Sequence, residues 1–170
     1  MSLSEPACRF PSKLNMGFPK EVKQKTIAFI LRETASGKRE ILLHSFASLP
    51  ELPRRLPGGG VEEDETIEQA IHRELFEETG KDIWQLKRKL GVQSYFKPYI
   101  NAQVVRHDFL FWSPINVPDS WVNRIKSSGG DAGSIFFFHW ADSENLVNID
   151  EEHRPFLTPD YLPELFDIGL

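Results

Sequence analysis

The sequence predicts a mixed α+β fold, in which one main helix packs against a β-sheet. Several segments rich in β-branched and aromatic residues have the composition of strands, whereas residues 66–79 have helical periodicity together with start and stop signals. The chain has 170 residues, of which 40% are hydrophobic and 26% charged, as is typical of one globular domain. We expect residues 1–20, which contain three prolines, to form a leader and residues 21–170 to form the domain.

The segments before the helix predict a β-hairpin followed by a loop. Residues 25–33 and 40–46 each have the pattern of a strand, and the turn-forming residues 35–38 join them. Residues 48–60 contain several prolines and glycines, which are typical of a loop.

The helix has a clear beginning and a clear end. Thr66 and Gln69 have the spacing of a capping box, in which each side chain bonds to the backbone N–H of the other residue. Gly80 is a natural C-terminal stop, because glycine readily adopts the left-handed conformation that ends many helices.

The segments after the helix predict further strands and a long loop. The predicted strands are residues 90–96, 102–112 and 134–140. The loop between the last two, residues 115–133, is long enough that we expect it to shape a binding site. Residues 143–147 predict a short helix or turn, and the proline-broken segment 153–166 predicts a short C-terminal helix.

Bulk properties exclude several classes of protein. A formal net charge of −5 does not predict the basic surface of nucleic-acid-binding proteins, so we do not expect nucleic acid as a partner. The single cysteine, Cys8, excludes an internal disulfide and favours a reducing cytosol. No apolar run approaches the ~18 residues of a membrane span, and the N-terminus lacks the pattern of a signal peptide. We therefore expect a soluble cytoplasmic protein.

Three glutamates, Glu74, Glu77 and Glu78, lie close together near the end of the helix. At roughly 100° per residue, Glu74 and Glu78 continue the apolar stripe that begins at residues 67–71, and Glu77 lies at its edge. Like charges at this spacing repel, and burial adds to the cost, so a cation is expected among them. Taken alone, the cluster fits a solvated acidic surface equally well. As ligands, carboxylates suit Mg²⁺ or Mn²⁺, and the glycine backbone of residues 58–60 can approach the same site.

Residues 59–81 resemble the Nudix box, GX5EX7REUXEEXGU, in which U is a bulky aliphatic residue. Every fixed position matches except the last, where Lys81 replaces the aliphatic residue. The methylene groups of Lys81 can cover apolar surface while its charge stays in water. The resemblance implies the fold of the Nudix family, an α/β/α sandwich with a mixed sheet and one main catalytic helix at about residues 66–79.

The resemblance also implies roles for the residues of the box. It implies that Glu74, Glu77 and Glu78 are metal ligands, joined by the carbonyl of Gly58. It makes Glu77 or Glu74 the general base, with Asp131 from a later loop as the alternative. The positions with a structural role are Gly59, Glu65, Arg73 and Gly80, among which Glu65 and Arg73 form a pair that orients the ligands.

Further candidate residues lie outside the box. Arg54 and Arg55 could bind substrate phosphates through bidentate bonds, although arginines in a loop are expected to face solvent by default. Tyr99 is a candidate substrate contact, because some subfamilies have a marker tyrosine or proline in this region. A proline precedes it here, so this pattern does not select a subfamily. His107 and His139 could act as bases, but histidines within strands are more often structural.

The resemblance implies a hydrolase that uses Mg²⁺ or Mn²⁺ to cleave the pyrophosphate bond of a small nucleoside diphosphate derivative. The alternative is a non-catalytic Nudix domain that binds a nucleotide metabolite as a sensor, and the presence of every box glutamate disfavours it. Removal of RNA caps would require a basic surface that the net charge does not predict. Many relatives dimerise, so a homodimer is compatible with the sequence, which does not identify the substrate.

Overall fold

The structure, a computed structural model, describes residues 21–126 and 130–166. Seven strands and two α-helices are present in these residues: β1 (Glu21–Glu33), β2 (Arg39–Phe46), β3 (Gly58–Gly60), α1 (Ile67–Thr79), β4 (Gln85–Lys97), β5 (Ala102–Trp112), β6 (Ser120–Arg124), β7 (Ile135–Asp142) and α2 (Pro163–Phe166). Short 3₁₀ turns cover Pro98–Ile100 and Arg154–Phe156. The predicted leader lies outside the described residues, so the division of the chain at residue 20 stays a prediction.

The strands form one mixed sheet in the order β4-β5-β1-β2-β7-β6, and β3 pairs with β1. Strand β1 is central and runs parallel to β5, with Glu21 opposite Ala102 and Leu31 opposite Trp112. On its other side, the first half of β1 pairs with β3 and its end pairs with β2, both antiparallel. Because β2 pairs with β1 only at residues 31–33, the edge of β1 before them is open to β3. The glycines of β3 pair there with residues 25–27.

The two faces of the sheet are covered differently. Successive side chains of a strand point to opposite faces, so Ala28 and Ile30 of β1 pack with Ile71 and Leu75 of α1 in one core. The opposite core contains Ile27, Phe29 and Leu31 of β1, and the C-terminal segment covers it with Leu157, Leu162 and Leu165. The predicted α+β sandwich with one main helix is confirmed.

The predicted caps of α1 are present. Thr66 Oγ1 accepts the backbone N–H of Gln69 at 3.1 Å, and Gln69 Oε1 accepts that of Thr66 at 2.9 Å. Gly80 has φ 72° and ends the helix in the left-handed conformation. Within the described ranges, the structure contains no helix with the length and apolar character needed to cross a membrane.

Some element boundaries differ from the sequence predictions. The loop predicted at 48–60 ends in strand β3, and the loop predicted at 115–133 contains strand β6. Strand β4 begins five residues before the predicted start at residue 90, and its pairing with β5 includes two register shifts. Charged residues and these shifts hide its alternation in the sequence, as is common for an edge strand. Residues 143–147 form a turn without a helix.

Candidate active site

The three glycines of β3 and the second half of α1 enclose a small cavity. Its volume is about 150 Å³, and Glu74, Glu78 and Asp131 are the acidic residues that line it. A second cavity of about 260 Å³ adjoins it and shares the glycines, Glu78 and Asp131. The fold therefore brings Asp131, from the loop after β6, to the side chains of the helix.

At two positions of β3, other groups approach so closely that a side chain would displace them. Gly58 has φ +148°, and a Cβ atom there would lie 2.1 Å from the backbone oxygen of Thr26. A Cβ atom at Gly59 would lie 2.4 Å from the carboxyl carbon of Glu74. The strand thus touches β1 on one side and the carboxylate of Glu74 on the other.

Glu78 is the most buried of the three helix glutamates, with 6% of its surface exposed. Its Oε2 accepts the backbone N–H of Gly58 at 3.1 Å and lies 3.9 Å from Nε2 of His44. Burial raises the pKa of Glu78 well above its usual range, and the charges of Glu74 and Asp131 raise it further. The carboxylate is therefore held in a place where it is unfavourable without a cation.

Arg73 organises the carboxylates on the outer side of the helix. Its Nε donates to Oε2 of Glu65 at 3.0 Å, and its Nη2 donates to Oε1 at 2.7 Å. The same guanidinium bonds to the carbonyl of Gly60 at 2.8 Å and to Glu74 and Glu77 at 3.1 and 3.2 Å. One arginine thus connects the strand, the loop and the helix.

We expect Arg73→Lys to lower turnover by about 10–100-fold, the usual effect of losing a group that orients ligands. Lysine keeps the charge but lacks the planar fork that bonds Glu65, Gly60 and Glu74 together. Steady-state kinetics of Arg73→Lys beside Arg88→Lys provide the test, because Arg88 also donates two bonds to a glutamate, to one oxygen of Glu164, far from the box. Equal turnover in Arg73→Lys and wild type would contradict the orienting role.

Glu77 lies on the flank of the helix, away from both cavities. Its side chain bonds to Arg73, and its backbone carbonyl accepts from Nδ2 of Asn123 at 3.2 Å. Asn123 also donates to the carbonyl of Glu78 at 2.7 Å, so strand β6 satisfies free carbonyls near the helix end. Lys81, the position that departs from the box, lies with its Nζ 5.1 Å from the ring centre of Trp121 on the same strand.

The residues around the small cavity fit a divalent cation by their chemistry. Three carboxylates and the backbone of Gly58–Gly60 line it, and no Lys or Arg is present among its described lining residues. Burial raises the pKa of Glu74, with Arg73 opposing the shift, and a cation would offset these unfavourable charges. The carboxylates do not converge on one point, since the described residues contain no group of three or more metal-binding side chains at ligand spacing. Hard oxygen donors of this kind suit Mg²⁺ or Mn²⁺.

The larger cavity combines basic side chains with the acidic residues Glu78 and Asp131. Lys25 and Arg55 line it, together with His44 and His153. Arg55 is partly buried with its Nε 3.8 Å from Asp150, which corrects the default expectation that it faces solvent. Burial lowers the pKa of His44 to about 3, and the charge of Arg55 contributes, so this ring is neutral near pH 7.

The remaining candidates lie elsewhere. Arg54 is partly buried but does not line either cavity, and its backbone pairs with Ile149. Tyr99 is 78% exposed beyond the end of β4, outside both cavity linings. His107 bonds to Lys89 and Gln24 on the sheet.

Sequence reasoning missed Lys25 and His153 as residues of the site. Lys25 is the first residue of the predicted strand, and its alternation with Ile27 and Phe29 was the available signal that it faces the same side. His153 follows two acidic residues in a segment without periodicity, so no local pattern distinguishes it.

Comparisons with known proteins agree with this fold. The family model for the NUDIX domain matches residues 23–159. Among solved structures, a MutT NUDIX hydrolase from Burkholderia pseudomallei is 24% identical with a TM-score of 0.57, over 80% of this chain and 95% of that one. A C. elegans Ap4A hydrolase is 22% identical with a TM-score of 0.56, over 85% and 98% of the two chains. The Nudix hydrolase RenU from M. smegmatis is 16% identical with a TM-score of 0.60, over 88% and 89%. A search of curated proteins gave no match.

The match over most of the chain, together with the sheet and the box helix, defines the class of protein. The chain belongs to the Nudix hydrolase family, whose members are pyrophosphohydrolases.

Proposed function

We propose that the chain hydrolyses the pyrophosphate bond of a small nucleoside diphosphate derivative in a reaction that depends on Mg²⁺ or Mn²⁺. The observation that carries the proposal is the pair of adjoining cavities, one lined by Glu74, Glu78 and Asp131 and the other, which shares Glu78 and Asp131, lined also by Lys25 and Arg55. A diphosphate carries several negative charges. A cation held by carboxylates and basic side chains of the protein can both offset them. The Ap4A hydrolase among the similar structures supports a nucleotide derivative as substrate.

Glu74 and Glu78, with backbone oxygen from Gly58–Gly60, would hold the metal ion, and Asp131, which lines the same cavity, would join them. When bound, the ion would neutralise the phosphates, orient them and lower the pKa of a coordinated water. The backbone N–H of Gly58 donates to Glu78 and so fixes the orientation of that carboxylate. Arg73 does the same for Glu74 from outside the cavity.

The general base takes a proton from the attacking water as the water oxygen bonds to phosphorus. The bridging oxygen then leaves with the other phosphate, so two phosphorylated fragments form. Of the two box glutamates considered for this role, Glu74 lines the small cavity, whereas Glu77 is held outside it by Arg73. This placement supports Glu74 or Asp131 over Glu77 as the base.

A turnover assay on a substrate panel tests the proposal. The panel contains ADP-ribose, dinucleoside polyphosphates, nucleotide sugars, and nucleoside di- and triphosphates, each with Mg²⁺, with Mn²⁺ and with EDTA. We expect hydrolysis of one class, with two phosphorylated products and no turnover in EDTA. Tight binding of one compound without hydrolysis under any condition would instead support the sensor.

A cytoplasmic location and a homodimer remain predictions alongside this function. The single cysteine supports a reducing compartment. Light scattering after size-exclusion chromatography measures whether the protein is a dimer.

A further inference from the structure

His153 lines the larger cavity and is only 1% exposed. It lies at the start of the short turn at Arg154–Phe156, in the C-terminal segment that covers the sheet. Its Nδ1 accepts the backbone N–H of Leu56 at 3.0 Å, a contact between residues 97 positions apart. This bond holds the ring against the segment that leads into the glycines of β3.

The hydrogen bond to Leu56 fixes the tautomer of the ring. Since Nδ1 uses its lone pair to accept, the proton of the neutral imidazole must be on Nε2. Burial lowers the pKa of His153 well below its usual range, and Lys25 and Arg55 lower it further, so the ring is neutral. Nε2–H is therefore a buried donor, and it has no acceptor among the described residues. A buried donor without a partner is costly, and in native proteins it calls for an explanation.

The two basic side chains beside His153 are also poorly matched within the protein. Lys25 Nζ lies 3.7 Å from Glu152, and Arg55 Nε lies 3.8 Å from Asp150, both longer than a good hydrogen bond. Burial lowers the pKa of Lys25, and the charge of Arg55 contributes to the shift. The three groups share one cavity with Glu78 and the glycines of β3.

We propose that His153 donates its Nε2–H to a phosphate oxygen of the substrate, in a diphosphate-binding subsite that Lys25 and Arg55 complete. The inference rests on the proposed function and deepens it, because it assigns the non-metal side of the diphosphate. A neutral donor suits this place, where a third positive charge would be repelled by the two already present. His153 cannot be the general base in this tautomer, because Nδ1 is engaged and Nε2 already carries its proton.

Two variants separate the ligand role of His153 from its structural role. In His153→Asn, the amide oxygen occupies the place of Nδ1, so the bond to Leu56 can persist while the Nε2 donor is lost. In His153→Gln, the amide nitrogen occupies the place of Nε2, so the donor can persist while the bond to Leu56 is lost. His139→Asn is a matched control, because both ring nitrogens of His139 are also buried without partners in the described chain, but His139 is not a lining residue of either cavity.

The test measures the affinity for inorganic pyrophosphate by calorimetry, with Mg²⁺ and with EDTA, beside the melting temperature of each variant. We expect His153→Asn to melt close to wild type and to bind pyrophosphate about 10-fold more weakly, as for the loss of one hydrogen bond to a charged group. His153→Gln should melt lower yet keep its affinity within about 3-fold, and His139→Asn should bind like wild type.

Equal affinity of wild type and a folded His153→Asn would overturn the inference, as would a wild-type protein that does not bind pyrophosphate. Neither result would contradict the proposed hydrolase activity if substrate turnover is present. Conversely, pyrophosphate binding that depends on His153 without turnover of any panel compound would support the subsite and count against the hydrolase.

Discussion

Replacing Glu78 with glutamine is expected to remove nearly all turnover and, at the same time, to stabilise the metal-free protein. Glutamine keeps the shape of Glu78 and can still accept the N–H of Gly58, but it takes one negative charge from the proposed metal site. Loss of several kcal/mol of charge stabilisation corresponds to about 10³-fold or more in rate. In EDTA, the same change removes a buried charge that Glu74 and Asp131 repel.

The stabilisation of the metal-free protein distinguishes a carboxylate that serves function from one that stabilises the fold. We expect the melting temperature of Glu78→Gln in EDTA to exceed that of wild type by about 2–4 °C, as for about 1 kcal/mol in a domain of this size. Glu68→Gln is the control, because Glu68 is exposed in the first turn of α1. It should keep full turnover and melt slightly lower, since an acidic residue there favours the helix dipole. A lower melting temperature for Glu78→Gln in EDTA would mean that its charge is satisfied within the fold.

Gly58→Ala is expected to have the largest effect on stability. The added Cβ would lie 2.1 Å from the backbone oxygen of Thr26 at a residue with φ +148°, so the backbone of β1 or β3 must move. We expect a loss of about 3 kcal/mol in the free energy of unfolding, and a melting temperature lower by about 6–12 °C. Because Gly58 holds Glu78, turnover should fall as well.

Gly60→Ala is the matched control in the same strand. A Cβ atom at Gly60 would meet no atom within 4 Å, and its φ lies outside the positive range. Thermal melts and kinetics of the two variants, measured side by side, should show a large loss for Gly58→Ala and little change for Gly60→Ala. Similar stability of both variants would indicate that β3 can shift away from β1 without cost.

The features that the sequence predicted correctly are those with local signals. The capping box at Thr66 and Gln69 and the stop at Gly80 lie within one segment, so their bonds can be inferred from spacing alone. The contact of Glu65 with Arg73 lies in the same segment, where the resemblance to the Nudix box, and not the spacing alone, implies a pair.

The features that the sequence missed depend on contacts between distant segments. Residues 58–60 are a strand only because β1 passes beside them, and three glycines have no strand propensity of their own. The short strand β6 likewise exists through its pairing with β7. His153 acquires a free donor because Leu56 occupies its other nitrogen, which no pattern around residue 153 records.

The parallel pairing of β1 with β5 has a consequence for how the protein folds. Strand β1 cannot pair along its whole length with β5 until the chain has been synthesised past Trp112. His153, which lines the larger cavity, is synthesised later still. Folds dominated by such distant contacts form slowly, in roughly milliseconds to seconds for small domains. During synthesis, α1, Lys25 and Arg55 are therefore all made before His153 is added to their cavity. Phosphate binding should then appear late in refolding, after the helix signal has reached its final value.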